Sequence, residues 1–152
     1  VFSDRDLRDD TDAVNRVNHT LLKGLRNDIE IYRCRDLIDK APIYQNQLRA
    51  INKIRAKYSD LLLEGTYRDT LDFVNENGSV QARSFRNGSS IAVVATLFGG
   101  SEQTTVFRVP GYRFREMEGI GEYKIKDAKD GGKSLSLKKG AIAVLVFDKE
   151  GK

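Results

Sequence analysis

One change of period constrains this chain more than any other feature in it. Up to about residue 66 the apolar residues recur every three or four positions; from Tyr67 onward they alternate, or run together in short blocks separated by Gly- and Asn-rich turns. Helices followed by a run of antiparallel strands predict an α+β fold. It comprises an N-terminal helical and βα segment over residues 1–66, then an antiparallel β-sandwich of about seven strands over residues 67–152. A length of 152 residues allows one ordinary domain, or a small domain with a helical attachment.

The helical part divides into three pieces. Asp9, Asp10, Thr11 and Asp12 offer capping side chains and negative charge where a helix begins. Val14, Val17, Leu21 and Leu25 then form one apolar face, closed by Gly24. Residues 27–34 alternate, with Ile29 and Ile31 on one side and Glu30 and Tyr32 on the other, and predict a single strand without a sequence-local partner. Pro42 suits the first turn of a second helix, whose face of Leu48, Ile51, Ile54, Tyr58, Leu61 and Leu62 runs to Leu63 before Gly65 breaks it.

In the second part, strands are expected over residues 71–74, 80–85, 90–98, 104–109, 113–120, 122–125, 133–138 and 141–147, the sixth being either separate or a continuation of the fifth. Asn87-Gly88 is an Asn-Gly hairpin signal. Residues 90–98 and 141–147 are almost uninterruptedly apolar, as expected of central strands covered on both faces.

Composition narrows the function classes. Hydrophobic residues make up 39% and charged residues 32%, the balance of a folded globular chain. No apolar run approaches the roughly 20 residues of a membrane helix, so no membrane partner is expected. The net charge is only +4. Lys124, Lys126, Lys129, Lys133, Lys138 and Lys139 are interleaved with Glu122, Asp127 and Asp130, a pattern that guards strand edges rather than gripping nucleic acid, so no nucleic-acid partner is expected. The chain opens on Val1 rather than Met and is expected to be part of a longer polypeptide.

Chemistry-bearing residues are few. Cys34 and His19 are the lone cysteine and histidine; they cannot supply a zinc ligand set, and Cys34 is expected to be a small buried residue rather than a nucleophile. Glu116 and Glu118 fall on one face of a strand, where they can meet a hard cation or simply face water. Tyr112, Phe114 and Tyr123 can form an aromatic platform for sugar rings or part of the core. Gly119-Ile120-Gly121 lacks the third glycine and following helix of a dinucleotide loop. No cofactor and no metal are expected. The segments around Asp4 and Arg5, and around Arg33, Arg35 and Asp36, mix acids and arginines beside element ends, where such pairs either hold polar ligands or form surface ion pairs.

Together these pieces resemble the C-terminal end of the glycoside hydrolases in which a (β/α)8 catalytic barrel precedes a small antiparallel β-sandwich. The phrase Ile54-Arg-Ala-Lys-Tyr-Ser-Asp-Leu-Leu-Leu-Glu-Gly65, followed by Tyr67-Arg68-Asp69, is similar to their junction between the last helix and the first sandwich strand. The strand after Arg86-Asn87-Gly88, and the Lys138-Lys139-Gly140 turn before the last strand, resemble that sandwich. The resemblance implies that residues 1–3 end the seventh barrel strand, 10–25 form the seventh helix, 27–34 the eighth strand and 42–63 the eighth helix.

The resemblance also implies that the paired catalytic carboxylates belong to earlier strands, leaving the catalytic residues unassigned here. Arg33, Arg35 and Asp36, then Asp4 and Arg5, are the substrate-lining candidates, because they follow strand ends at the active-site face. The implied partners are a carbohydrate, met through the parent enzyme, and the rest of the barrel or a self-associating copy. The alternative is a stand-alone carbohydrate-binding or protein-interaction sandwich. The two readings differ in whether the Ile29–Ile31 face and the inner face of the second helix are covered by this chain.

Overall fold

The two periods of the sequence become two kinds of layer. A computed structural model describes residues 2–4, 12–29 and 38–151. Strand β1 (Phe2–Asp4) and strand β2 (Asn27–Ile29) pair in parallel, and helix α1 (Ala13–Leu22) connects them. A 3-10 turn at Ile38–Lys40 leads into helix α2 (Pro42–Lys57), with Pro42 at its first position as expected. Tyr58 leaves the helical conformation (φ −116°, ψ 39°), so the long helix expected to Leu63 ends there, and a single turn, α3 (Ser59–Leu62), follows.

Nine strands then build two antiparallel sheets. They are β3 (Thr66–Asp69), β4 (Val74–Asn75), β5 (Gln81–Asn87), β6 (Ser90–Thr96), β7 (Gln103–Arg108), β8 (Tyr112–Ile120), β9 (Tyr123–Asp127), β10 (Lys133–Leu137) and β11 (Ile142–Lys149). One sheet has the order β3-β5-β6-β11-β8, the other β4-β7-β10-β9. The count exceeds the expected seven because the strand sought at 71–74 is replaced by two short strands in different sheets. Asp69 and Asp72, both at positive φ, turn the chain across between them. Residues 113–120 and 122–125 are likewise separate strands, one in each sheet.

The central strands of the five-stranded sheet explain the apolar runs. In β6, Ala92 and Val94 face the helices, while Ile91, Val93 and Ala95 face the second sheet. In β11, Ile142, Val144 and Val146 face the helices, while Ala143, Leu145 and Phe147 face the sandwich interior. All of these residues are buried. A strand covered on both faces has no polar side to alternate with, and so reads as a block.

The five-stranded sheet is therefore the middle layer of three. On its outer face lie Ala13, Val17, Leu21 and Leu22 of α1 together with Tyr44, Ile51 and Ile54 of α2, Tyr58, Leu61 and Leu62. Of the two faces on which the readings differ, the inner face of the second helix is covered by this chain's own sandwich, as the stand-alone module requires. A helix face of this width must be buried somewhere, and the apolar face of β6 and β11 is the surface it meets.

The hairpin β5–β6 also differs in detail. Asn87 pairs with Ser90, so Gly88 and Ser89, not Asn87 and Gly88, occupy the two turn positions.

Candidate functional site

The parallel register fixes the geometry of the candidate site. Phe2 stands beside Asn27, Ser3 beside Asp28 and Asp4 beside Ile29. Asp4 thus sits at the C-terminal end of β1, next to the C-terminal end of β2. In parallel α/β sheets the segments that leave such ends share one rim, the place where ligands are bound. Of the substrate-lining candidates, Asp4 has a described backbone position; Arg5, Arg33, Arg35 and Asp36 lie outside the described residues, as do Ile31 and Cys34.

The opposite end of the ribbon is built from side chains that sequence reasoning passed over. Arg55 of α2 donates to the Leu25 carbonyl at 2.5 Å, to Asn27 Oδ1 at 3.1 Å and to Thr20 Oγ1 at 3.2 Å. Thr20 donates to the same Asn27 oxygen at 2.9 Å. Burial, with Arg26 nearby, pulls the Arg55 guanidinium below its ordinary value, yet arginine remains charged at any physiological pH. One planar cation therefore ties the end of α1 and the start of β2 to α2.

A second polar link is built on two buried side chains. Asn18 accepts from Gln47 Nε2 at 2.6 Å and donates to the Gly140 carbonyl at 2.8 Å. It joins α1, α2 and the β10–β11 turn. A signal for it existed: Asn18 lies four residues after Val14 and three before Leu21, at a position the helical period assigns to the apolar face. A polar residue there needs a partner, and Gln47 supplies it.

Glu116 and Glu118 do share a face of β8, and a cation does lie against them, but it is the ammonium of Lys57. Its Nζ is 2.8 Å from Glu118 and 3.3 Å from Glu116. Glu118 and Glu116 hold the ammonium above its ordinary range, and the same nitrogen stands 5.0 Å from the Tyr58 ring centroid. Burial works against the Glu116 carboxylate, but Lys57, Tyr58 and Arg115 together more than offset it and leave the group below its usual value. Among the described residues no group of three or more His, Cys, Asp or Glu could hold a metal ion.

The aromatic trio comes apart. Tyr112 and Phe114 line one cavity, whereas Tyr123 lies over Gly119, where a Cβ would sit 2.7 Å from its ring. Phe114 is engaged twice, with Lys133 Nζ 4.4 Å from its centroid and the Phe147 ring T-shaped to it at 5.7 Å. Gly121, at φ 85°, makes the turn that carries the chain from β8 to β9, which gives the Gly-x-Gly sequence a backbone role. His19 meets Phe98 with the rings tilted at 59° and their centroids 6.1 Å apart. Some of the basic residues are matched: Lys133 pairs with Asp127, Lys138 with Glu122, Arg83 with Asp69 and Arg108 with Glu76. Among the described residues no helix is long and apolar enough to cross a membrane.

No protein-family model and no curated protein matches the chain. Solved structures share its fold. An Anoxybacillus alpha-amylase aligns over 91% of this chain and 33% of its own, with TM-score 0.56 and 16% identity. A GH30 endoxylanase from Clostridium papyrosolvens C71 aligns over 97% of this chain and 40% of its own, with TM-score 0.50 and 12% identity. A glycoside hydrolase family 30 subfamily 8 xylanase, Xyn30A from Clostridium acetobutylicum, covers the same shares with TM-score 0.49 and 10% identity. This chain spans a third to two fifths of the length of these proteins. The resemblance read from the sequence thus meets a likeness of fold to part of enzymes of that kind.

Proposed function

We propose that the chain is the C-terminal part of a carbohydrate-active glycoside hydrolase, that its sandwich supports the catalytic barrel, and that it is not catalytic alone. The observation that carries this reading is the parallel β1–β2 pair joined by α1 and backed by α2. It is a βα arrangement of the kind that ends a barrel, seated on a sandwich sheet. The alpha-amylase and the endoxylanase support it, since both share the fold over only part of their own length.

In this reading residues 1–66 are the last barrel units and 67–152 the sandwich. Asp4, Arg5, Arg33, Arg35 and Asp36 line the substrate channel at the C-terminal rim of β1 and β2, and the parent's substrate is a polysaccharide. Hydrolysis needs two carboxylates flanking the scissile bond, and these come from strands ahead of β1. The rest of the barrel is the natural partner of the ribbon.

Two measurements test the reading. Chromogenic xylohexaose and maltohexaose incubated with this chain are expected to show no turnover; turnover would overturn the claim that it is inactive alone. The residues encoded ahead of Val1 are expected to form further βα units with two carboxylates at strand ends. A reading frame without them would leave the stand-alone module as the function.

A further inference from the structure

Two cavities at the β7–β8 corner share one aromatic residue in their walls. One, of about 560 Å3, is bounded by Arg113, Phe114, Asp130 and Glu150. The other, of about 570 Å3, is bounded by Phe73, Arg86, Ile91 and Lys149. Pro110 and Tyr112 line both. Tyr112 is half-buried, packed against the sandwich core, and forms part of the wall that the two basins share. Its backbone is fixed twice: its N–H donates to Val109 at 3.0 Å, and it pairs with Lys149 in the β8–β11 ladder.

The groups around this shared wall decide what chemistry it accepts. Asp127 and Lys133 neutralise each other, Asp72 is held by Arg68 at 3.0 Å, and Arg108 is paired with Glu76. Arg86, Arg113 and Lys149, with Asp130 and Glu150, make no ion pair among the described residues. Three cations and two anions, set around the two basins, offer donors and acceptors together without a dominant charge. That mixture suits neither a phosphate nor a metal ion. It suits hydroxyl groups, which donate and accept at once, on a ring whose apolar face can lie on an aromatic one.

We infer that Tyr112 is the centre of an oligosaccharide-binding groove on the sandwich, with a sugar unit lodged in each of the two basins it lines. The inference rests on the carbohydrate reading above and deepens it. It adds a second binding surface, away from the rim of β1 and β2, through which the sandwich holds the polymer. Phe114 does not serve as a platform, because Lys133 and Phe147 occupy its ring.

The test is a titration of the isotope-labelled chain with xylohexaose and, separately, maltohexaose, followed by backbone amide shifts. At least one probe is expected to perturb Gly111, Tyr112, Arg113 and Lys149 selectively. Tyr112→Ala is expected to weaken that binding about tenfold or more, and Tyr112→Phe to retain it. Lys149→Ala, at the exposed end of β11, is expected to weaken binding without altering the dispersion of the spectrum. The absence of perturbation with both probes, or unchanged affinity in Tyr112→Ala, would overturn the groove. The outcomes separate from those of the parent reading. Tyr112-dependent binding by a chain with no barrel units encoded ahead of it overturns the hydrolase fragment and keeps the groove; barrel units without binding do the reverse.

Discussion

Lys57, the last residue of α2, places its ammonium 2.8 Å from Glu118 on β8, 61 positions later in the chain. With Glu116 at 3.3 Å, it joins the helical layer to the edge of the middle sheet. The joint adds an exposed polar tie to a contact held by the buried apolar layer between helices and sheet, and it sets the first prediction.

Lys57→Met is expected to lower the melting temperature slightly, and less so in high salt, because the pair is exposed. The pH dependence has two limits. Glu116 lies below its ordinary value near 4.5, so its contribution is complete above that pH and is lost as pH falls through the lowered value. Lys57 lies above its ordinary value near 10.5, so its contribution is complete below that pH and is lost as pH rises through the raised value. The difference in melting temperature between wild type and variant is expected to stay flat from about pH 5 to 10 and to shrink outside that window.

Arg55 is the more consequential cation. Arg55→Met strips the Leu25 carbonyl, Asn27 and Thr20 of a shared donor, and is expected to cost about 2 kcal/mol in urea unfolding. Arg55→Lys recovers only part of it, since an ammonium lacks the planar fork that reaches all three acceptors. Equal stability of the lysine variant and wild type would show that charge alone is needed.

Gly65 governs the passage from α3 to β3. A Cβ there would stand 2.2 Å from the Leu61 carbonyl oxygen and 3.2 Å from that of Arg86. Both are backbone atoms, and neither can rotate away. Gly65→Ala is expected to destabilise the chain by about 1–3 kcal/mol, whereas Gly78→Ala, with nothing within 4 Å, is expected to cost little. Calorimetry of the two variants distinguishes them.

A chain beginning at Tyr67 tests the boundary between the proposed domains. It would uncover Ala92, Val94, Ile142, Val144 and Val146, which α1, α2 and α3 cover in the whole chain. Such a contiguous apolar face drives association. The truncated sandwich is expected to self-associate and to bind a hydrophobic dye; a monomeric, dye-silent sandwich of wild-type stability would show that the helices are a removable attachment.

Much of the fold was legible in the residues. The spacing of Ile51, Ile54, Tyr58 and Leu61 marked the buried stripe of the second helix, and Pro42 marked its start. The unbroken runs at 91–95 and 141–147 marked central strands. The break at Tyr58 was not legible, because the apolar period continues through it to Leu62. Nor was the division of 66–75 into two strands, since two- and four-residue strands carry too few alternations to register. In the candidate site, the strand end beside Asp4 was implied by the family resemblance, since three residues carry no period of their own. Arg55, Gln47 and Asn18 could not be paired, because their partners lie on other elements.

The sequence by itself determined the period of each segment, hence which residues must be buried and which class of element buries them. Tertiary structure alone decided what covers them. The apolar run of β11 requires two covers, but nothing in it says that one is a second sheet and the other a pair of helices from the first third of the chain. Likewise, Glu116 and Glu118 read alone are two acids awaiting a cation, and only the packing of α2 on β8 brings Lys57 to them. Periodicity is a local property of the backbone, written along the chain, whereas the choice of partner depends on the free energy of the whole assembly of layers.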